Sequence, residues 1–324
     1  MPRRAAFLWV AVLALAAGVA LTDTRTDGGD VSFFLGAGST LLSGDWAQTY
    51  ADPAVQSGPL QLAFFGLGAW IPWSVLTVLA QVGGTVLLLV GLMRVLGPRP
   101  VPGRWIVVGF GWSVVVLGLP LTALTGGHPA HLIVPALWLL AGAEARRGRT
   151  LAAGALVGLA AGWETWGLLG VAVLVLAPRA REALAGAGTA AAVAGALFLP
   201  FVLAGEFAMG EYVWRISGST LPGLVLDPGS AFPWGLRFVQ AAAAVGAGAA
   251  VAWRLRRTPH AVTASLATVA FIRLAFDPVF YSWYWVSFLA LVLAAAADVV
   301  SSPWFVGVLR ARSSRTRGLP MGSP

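Results

Sequence analysis

Apolar residues run in long stretches along this chain, and polar ones are confined to the short segments between them. Ala5–Leu21, Val75–Leu92, Ile106–Leu124 and Tyr284–Ala297 approach the roughly 20 apolar residues that carry a helix across ~30 Å of hydrocarbon. With Arg3 and Arg4 placed inside, the pattern predicts spans at about 5–22, 73–94, 105–124, 129–145, 184–204, 234–253, 260–276 and 280–299. LQLAFFGLGAWI (60–71) is too short to span, so it is expected at the interface, with Trp70 and Trp73 at headgroup depth. As a single helix, residues 150–177 would measure about 42 Å and would turn every later arginine cluster outward. A broken pair, about 150–162 and 166–177 around GWETWG, returns the chain inside. Its tip would stop within the membrane, where irregular backbone has to be shielded by protein.

The expected fold class is therefore all-α: a polytopic transmembrane helix bundle of about eight full spans plus a short re-entrant helical pair. Residues 1–304 form one transmembrane domain with outer loops 23–59 and 205–233, and 305–324 form a basic cytoplasmic tail. All arginines except Arg25, Arg215, Arg237 and Arg273 then fall on the inner side, while most acids fall outside. Reading the N-terminus as a cleaved signal peptide leaves Asp30 on the same side.

Composition narrows the class further. The chain has 324 residues, of which 58% are hydrophobic and 10% charged, whereas soluble domains carry roughly 25% charged residues. The net charge of +8 does not imply a nucleic-acid partner, because the arginines fall in short clusters between spans, where anionic lipid attracts them. Without cysteine there are no disulfides, thiol nucleophiles or Cys-ligated metals. Every basic residue is Arg and none is Lys, which with the Ala and Gly excess fits a GC-rich bacterial coding sequence.

Ionisable residues near the hydrocarbon are functional candidates by default. On the outer side they are Asp30, Asp45, His128, His131, Glu206, Glu211, Arg215, Asp227, Arg237, Arg273 and Asp277. Each also has a plain structural reading. Asp30 fits a solvated loop acid or the N-cap of a helix beginning at VSFFLGAGSTLL. His128 fits a turn residue between a Gly pair and Pro129, Arg215 an interfacial snorkel, and Asp277 an ion pair with Arg273 at i+4. Glu164, between Trp163 and Trp166, should be paired, protonated or facing water. His128 and His131 lack a third ligand at useful spacing, so no metal or other cofactor is expected; the outer acids permit a divalent cation without requiring one. There is no G-x-x-x-x-G-K-[ST], no G-x-G-x-x-G behind a strand and no H-E-x-x-H, which argues against nucleotide-driven chemistry.

Asp30, then Phe33 or Phe34, Leu41-Leu42-Ser43-Gly44, Tyr50 and SGPLQLAFF together resemble the first outer loop of the GT-C superfamily. These are integral-membrane glycosyltransferases that use polyprenyl-phosphate sugars, and the closest pattern is their bacterial alpha-mannosyltransferase-like branch. The stretch from GGHPAH through GWETWGLL is similar to that branch's outer turn, helix, basic turn and short helical pair. FLPFVLAGEFAMGEYVWRI and RLAFDPVFYSWYWVSFLAL resemble its later outer segments. The branch commonly carries a basic residue near the tip of the short pair, where this chain has Glu164.

The resemblance implies an inverting transfer of a sugar, mannose by this likeness, from a polyprenyl-phosphate donor to an envelope glycan or glycolipid. It implies Asp30 as general base, with Arg237, Arg273, Arg215 and His128 binding donor phosphate or sugar. Asp45, Tyr50 and Glu164 would belong to the substrate loops. The implied location is a bacterial plasma membrane, with both termini cytoplasmic and the active site outside. Two other readings stand beside it: a non-catalytic accessory or inactive member, and a lipid or solute transporter, which predicts polar residues along a path at mid-membrane depth.

Overall fold

The computed structural model describes residues 11–14, 18, 30–97 and 102–302. Most of the expected first span and the whole basic tail 305–324 lie outside these residues. In what is described, the apolar runs are helical, and the single sheet is a two-stranded ribbon. In chain order the helices are α1 (Val31–Leu41), α2 (Pro59–Gly66), α3 (Trp73–Leu96), α4 (Pro102–Val116), α5 (Leu119–Thr125), α6 (Ala130–Arg146) and α7 (Thr150–Trp163). There follow α8 (Ala180–Ala204), α9 (Leu221–Val225), α10 (Trp234–Leu255), α11 (Ala261–Ala275) and α12 (Tyr284–Val300). A 3₁₀ helix, Thr165–Leu176, lies between α7 and α8.

Among the described residues, α3, α8 and α10 are long and apolar enough to cross a membrane, with 24, 25 and 22 residues. The expected spans at 129–145, 260–276 and 280–299 are helices of 17, 15 and 17 residues. At ~1.5 Å per residue these measure roughly 23–26 Å, a little under the hydrocarbon thickness. The expected span 105–124 is two helices, not one. The chain breaks at Gly118, whose φ of +65° no ordinary helix residue adopts, and Pro120 opens the next helix without needing an N–H donor. The expected loop 23–59 is also partly helical, since it contains α1.

The pair around GWETWG is a helix and a 3₁₀ helix that meet at Glu164, whose backbone is extended (φ −148°, ψ 137°). Its two arms are short, ~21 Å of α-helix and ~24 Å of 3₁₀ helix, against ~37 Å for α8 beside it. Glu164 therefore lies well below the end of α8 and forms a floor. Packing holds the 3₁₀ arm in place: Trp138 of α6 donates its indole N–H to the Gly167 carbonyl at 2.7 Å. On its other side α7 presents Gly154, Gly158 and Gly162 one turn apart. A Cβ on Gly154 would strike the backbone of Gly186, and one on Gly158 would strike Val193 and the Ala190 carbonyl of α8. Small residues at this spacing let two helix backbones approach closely in an apolar setting.

The main core gathers around α6, nearly all of whose residues are buried, Trp138 completely. A second, aromatic core caps the end of the bundle where α6 begins. There Tyr50 packs on Phe198, Phe201 and Phe207 with no exposure, and its hydroxyl donates to the Ser57 carbonyl at 3.0 Å. At this end the ribbon pairs β1 (Trp214–Arg215) antiparallel with β2 (Ala231–Phe232), Trp214 opposite Phe232. The Ser217 N–H donates to the Pro278 carbonyl at 2.7 Å, tying the ribbon to the loop before α12. At the opposite end the arginines gather: Arg147 donates to the Arg94 carbonyl, Arg146 to that of Pro259, and Arg149 pairs with Glu144.

Candidate functional site

The turn Gly126–Gly127 brings the start of α6 against the start of α1. Gly127 has φ +79°, and a Cβ there would press on the backbone of Asp30 and Val31. His128 thus arrives beside Asp30, its Nε2 3.0 Å from Asp30 Oδ2. Its Nδ1 lies 3.3 Å from Glu164 Oε1. The imidazole is therefore held between two carboxylates, and both contacts are hydrogen bonds at once only when both ring nitrogens carry protons or one carboxyl does. Burial acts to lower the His128 pKa, but the hydrogen bonds and charges of Asp30 and Glu164 outweigh it and leave the pKa above the usual histidine value.

Each carboxylate has a distinct setting. Asp30 occupies the N-cap position of α1, yet its side chain caps nothing there. It turns to His128 instead, 51% exposed, at the rim of a cavity. Glu164 is only 9% exposed and is enclosed by donors. Ser57 Oγ donates to its Oε1 at 3.0 Å, and Gln61 Nε2 donates to it at 3.2 Å. Gln61 spends its carbonyl oxygen on the Ala130 N–H, locking α2 to the first turn of α6. Ser57, Gln61 and His128 thus all meet one oxygen of Glu164, Oε1.

A cavity of about 580 Å³ opens between these groups and α10, α11 and the ribbon. Its second polar cluster is Arg237 and Arg273 around Asp277, which is 1% exposed. Arg237 lies 3.4 Å and Arg273 3.9 Å from Asp277 Oδ2. The i+4 pair expected from sequence is therefore the longer of the two contacts, and Arg237 is the nearer partner. Gln240 accepts from Arg237 at 3.3 Å and donates to the Arg273 carbonyl at 2.7 Å, fixing α10 to α11. Arg237 stacks over Trp214 at 4.3 Å, and Arg273 over Trp166 at 4.4 Å and Tyr284 at 4.8 Å. Two guanidiniums against one carboxylate leave net positive charge here, and Arg237 Nε is buried with no partner among the described residues.

His131 joins the clusters. Its ring packs on Trp166 and Tyr284, and lies 5.8 Å from the ring of His128. On the rim side Trp283 stacks on His128 (5.1 Å, 14°) and Tyr281 stacks on Trp283 (4.7 Å, 6°). Burial is the main cause that raises the Tyr281 pKa, with Tyr212, Asp30 and Asp277 adding to it.

Of the candidates taken from sequence, the cavity collects Asp30, His128, His131, Glu164, Arg237, Arg273 and Asp277. Glu206, Glu211 and Asp227 do not line it, and neither do Tyr50, Asp45 and Arg215. Tyr50 is in the aromatic core, Asp45 is exposed beside the 3₁₀ turn Trp46–Gln48, and Arg215 is exposed on the ribbon, donating to the Gly229 carbonyl at 3.1 Å. Among the described residues, no three His, Asp or Glu side chains converge as a metal site. The Asp30–His128–Glu164 run is linear, with the imidazole in the middle. Sequence reasoning passed over Ser57, Gln61 and Gln240. The last two carried a signal, each being an amide inside an apolar helix. The Tyr281–Trp283 stack carried none. No family model, curated protein or solved structure matches the chain.

Proposed function

We propose that this protein is an integral-membrane glycosyltransferase that moves a sugar, mannose by the resemblance, from polyprenyl phosphate to a glycan or glycolipid of the cell envelope. The observation that carries this reading is one cavity with an exposed carboxylate at one end and two arginines sharing a single acid at the other. Arg237 and Arg273 suit the donor phosphate, because planar guanidiniums pair phosphate oxygens and stay charged when buried. Asp30 suits the acceptor: its exposed oxygen takes the proton as the acceptor oxygen bonds to the anomeric carbon. The bond from that carbon to the phosphate oxygen breaks, with inversion, and its electron pair leaves on the phosphate. Charge grows on that phosphate in the transition state, where fixed cations stabilise it most.

On this reading the shorter helices α6, α11 and α12 also cross the bilayer. With segment 5–22 and the broken segment α4–α5 they complete an eight-span bundle whose termini are cytoplasmic and whose cavity faces outward. The test is transfer of radiolabelled mannose from polyprenyl-phosphate mannose to an envelope fraction by protein reconstituted in lipid. Turnover is expected, and replacing both Arg237 and Arg273 with Ala should weaken donor use by roughly 10-fold to 100-fold, the worth of charged hydrogen bonds. Transfer unaffected by that double replacement would remove the arginines from the donor site.

A further inference from the structure

The proposed base does not stand alone, and the group behind it is the unusual one. Glu164 occupies the tip of the short pair, too deep to share the cavity rim with Asp30 and too enclosed to meet substrate freely. Ser57 and Gln61 hold its Oε1 toward His128 Nδ1. Tyr50 fixes that grip from outside, since its hydroxyl bonds the Ser57 carbonyl. Ser57 and Glu164 are also paired through their backbones as an isolated bridge. These contacts anchor one ring nitrogen of His128, and the other can then point only at Asp30.

We infer that Glu164 is a positioning residue: it holds the Nδ1–H of His128, so that Nε2 faces Asp30 and takes on the proton Asp30 removes from the acceptor. The inference rests on the transferase reading for its catalytic meaning, but the tautomer it assigns is a property of the protein alone. The proton balance is simple. The acceptor O–H breaks, Asp30 gains the proton and passes it to Nε2, and Glu164 takes none. The departing phosphate carries away the electron pair of the broken glycosyl bond. A carboxylate behind a histidine fixes tautomer and orientation and stabilises the imidazolium that forms. The groups packed around His128 are Asp30 from the start of α1, Glu164 from the chain break, Trp283 from the loop before α12, with Tyr281 stacked behind it, and Phe34. His131 is one turn further along α6, with Arg273 of α11 beyond it. No other carboxylate among the described residues bonds the ring.

The chain has three histidines, so ¹⁵N-histidine spectra of the full protein in lipid nanodiscs can be assigned with His131→Gln and His260→Gln variants. The expected result is that, above its titration midpoint, His128 keeps its proton on Nδ1. In Glu164→Gln that midpoint falls, the acid limb of the transfer rate moves to lower pH, and the plateau drops at least about tenfold. Should Glu164→Gln not fold, the wild-type tautomer still decides the matter. A neutral His128 protonated on Nε2, or a midpoint unmoved in folded Glu164→Gln, would overturn the inference. Nδ1 protonation without turnover of any polyprenyl-phosphate sugar would keep the positioning role and sink the transferase reading; turnover with Nε2 protonation would do the reverse.

Discussion

At the residue scale, His128 is the most informative side chain because its environment opposes itself. Burial favours the neutral ring, and two carboxylates favour the charged one and win. A pKa raised above the unfolded value of ~6.5 means that the folded state binds the proton more tightly. The stability this gives is fully present below ~6.5 and is lost as pH rises through the raised folded value. Melting temperature in detergent between pH 5 and 9 should therefore fall on the alkaline side in wild type, with a smaller slope in His128→Gln. Equal slopes would mean that the imidazole is not charged between its neighbours. The sequence showed Glu164 as an acid in need of a partner, but not which one. Its partners Ser57 and Gln61 lie more than a hundred residues away in the chain, and no local pattern encodes such a contact.

At the element scale, the short pair with its tip at Glu164 decides where the floor of the cavity lies. Its break was legible, because a 28-residue helix would have overshot the membrane and Gly162 precedes the polar tip. That its second arm is 3₁₀ was not. A 12-residue 3₁₀ run has poor hydrogen-bond geometry and persists only when packing over-determines it, here the Trp138 indole on the Gly167 carbonyl and Gly170 under the same ring. The first arm depends on its glycine face. Gly158→Leu would place a side chain into Val193 and the Ala190 carbonyl, and should cost about 1–3 kcal/mol, an overpacking penalty. Thermal melting would register this as a clear drop, and cavity function should fall with it because Glu164 directly follows the last residue of α7. Gly188→Leu, where a Cβ meets nothing within 4 Å, is the control and should melt like wild type. A similar loss at both positions would contradict the packing account.

At the scale of the whole molecule, polar chemistry is segregated by end. Arg237, Arg273, Asp30, Glu164 and Asp277 gather at the cavity end, whereas Arg94, Arg146, Arg147 and Arg149 gather at the other. The arginine clusters were legible in sequence because each follows an apolar run. The convergence on one cavity was not, since it depends on how α1, α6, α10 and α11 pack side by side. The absence of cysteine makes the orientation directly measurable. Gly210→Cys, at an exposed site near the ribbon, should react with an impermeant maleimide on intact cells, and Arg257→Cys should react only after permeabilisation. The opposite pattern would place the cavity on the cytoplasmic side and remove an envelope acceptor from consideration.

The most direct measurement compares mannose transfer by wild type and by Asp30→Asn, both reconstituted in lipid and both shown to be folded. The account predicts turnover in wild type and a fall of roughly 10²–10⁴-fold in the variant, the contribution of a positioned general base, with donor binding unchanged. Equal turnover in the two proteins would contradict it, because the exposed carboxylate at the rim of the cavity would then have no part in the chemistry.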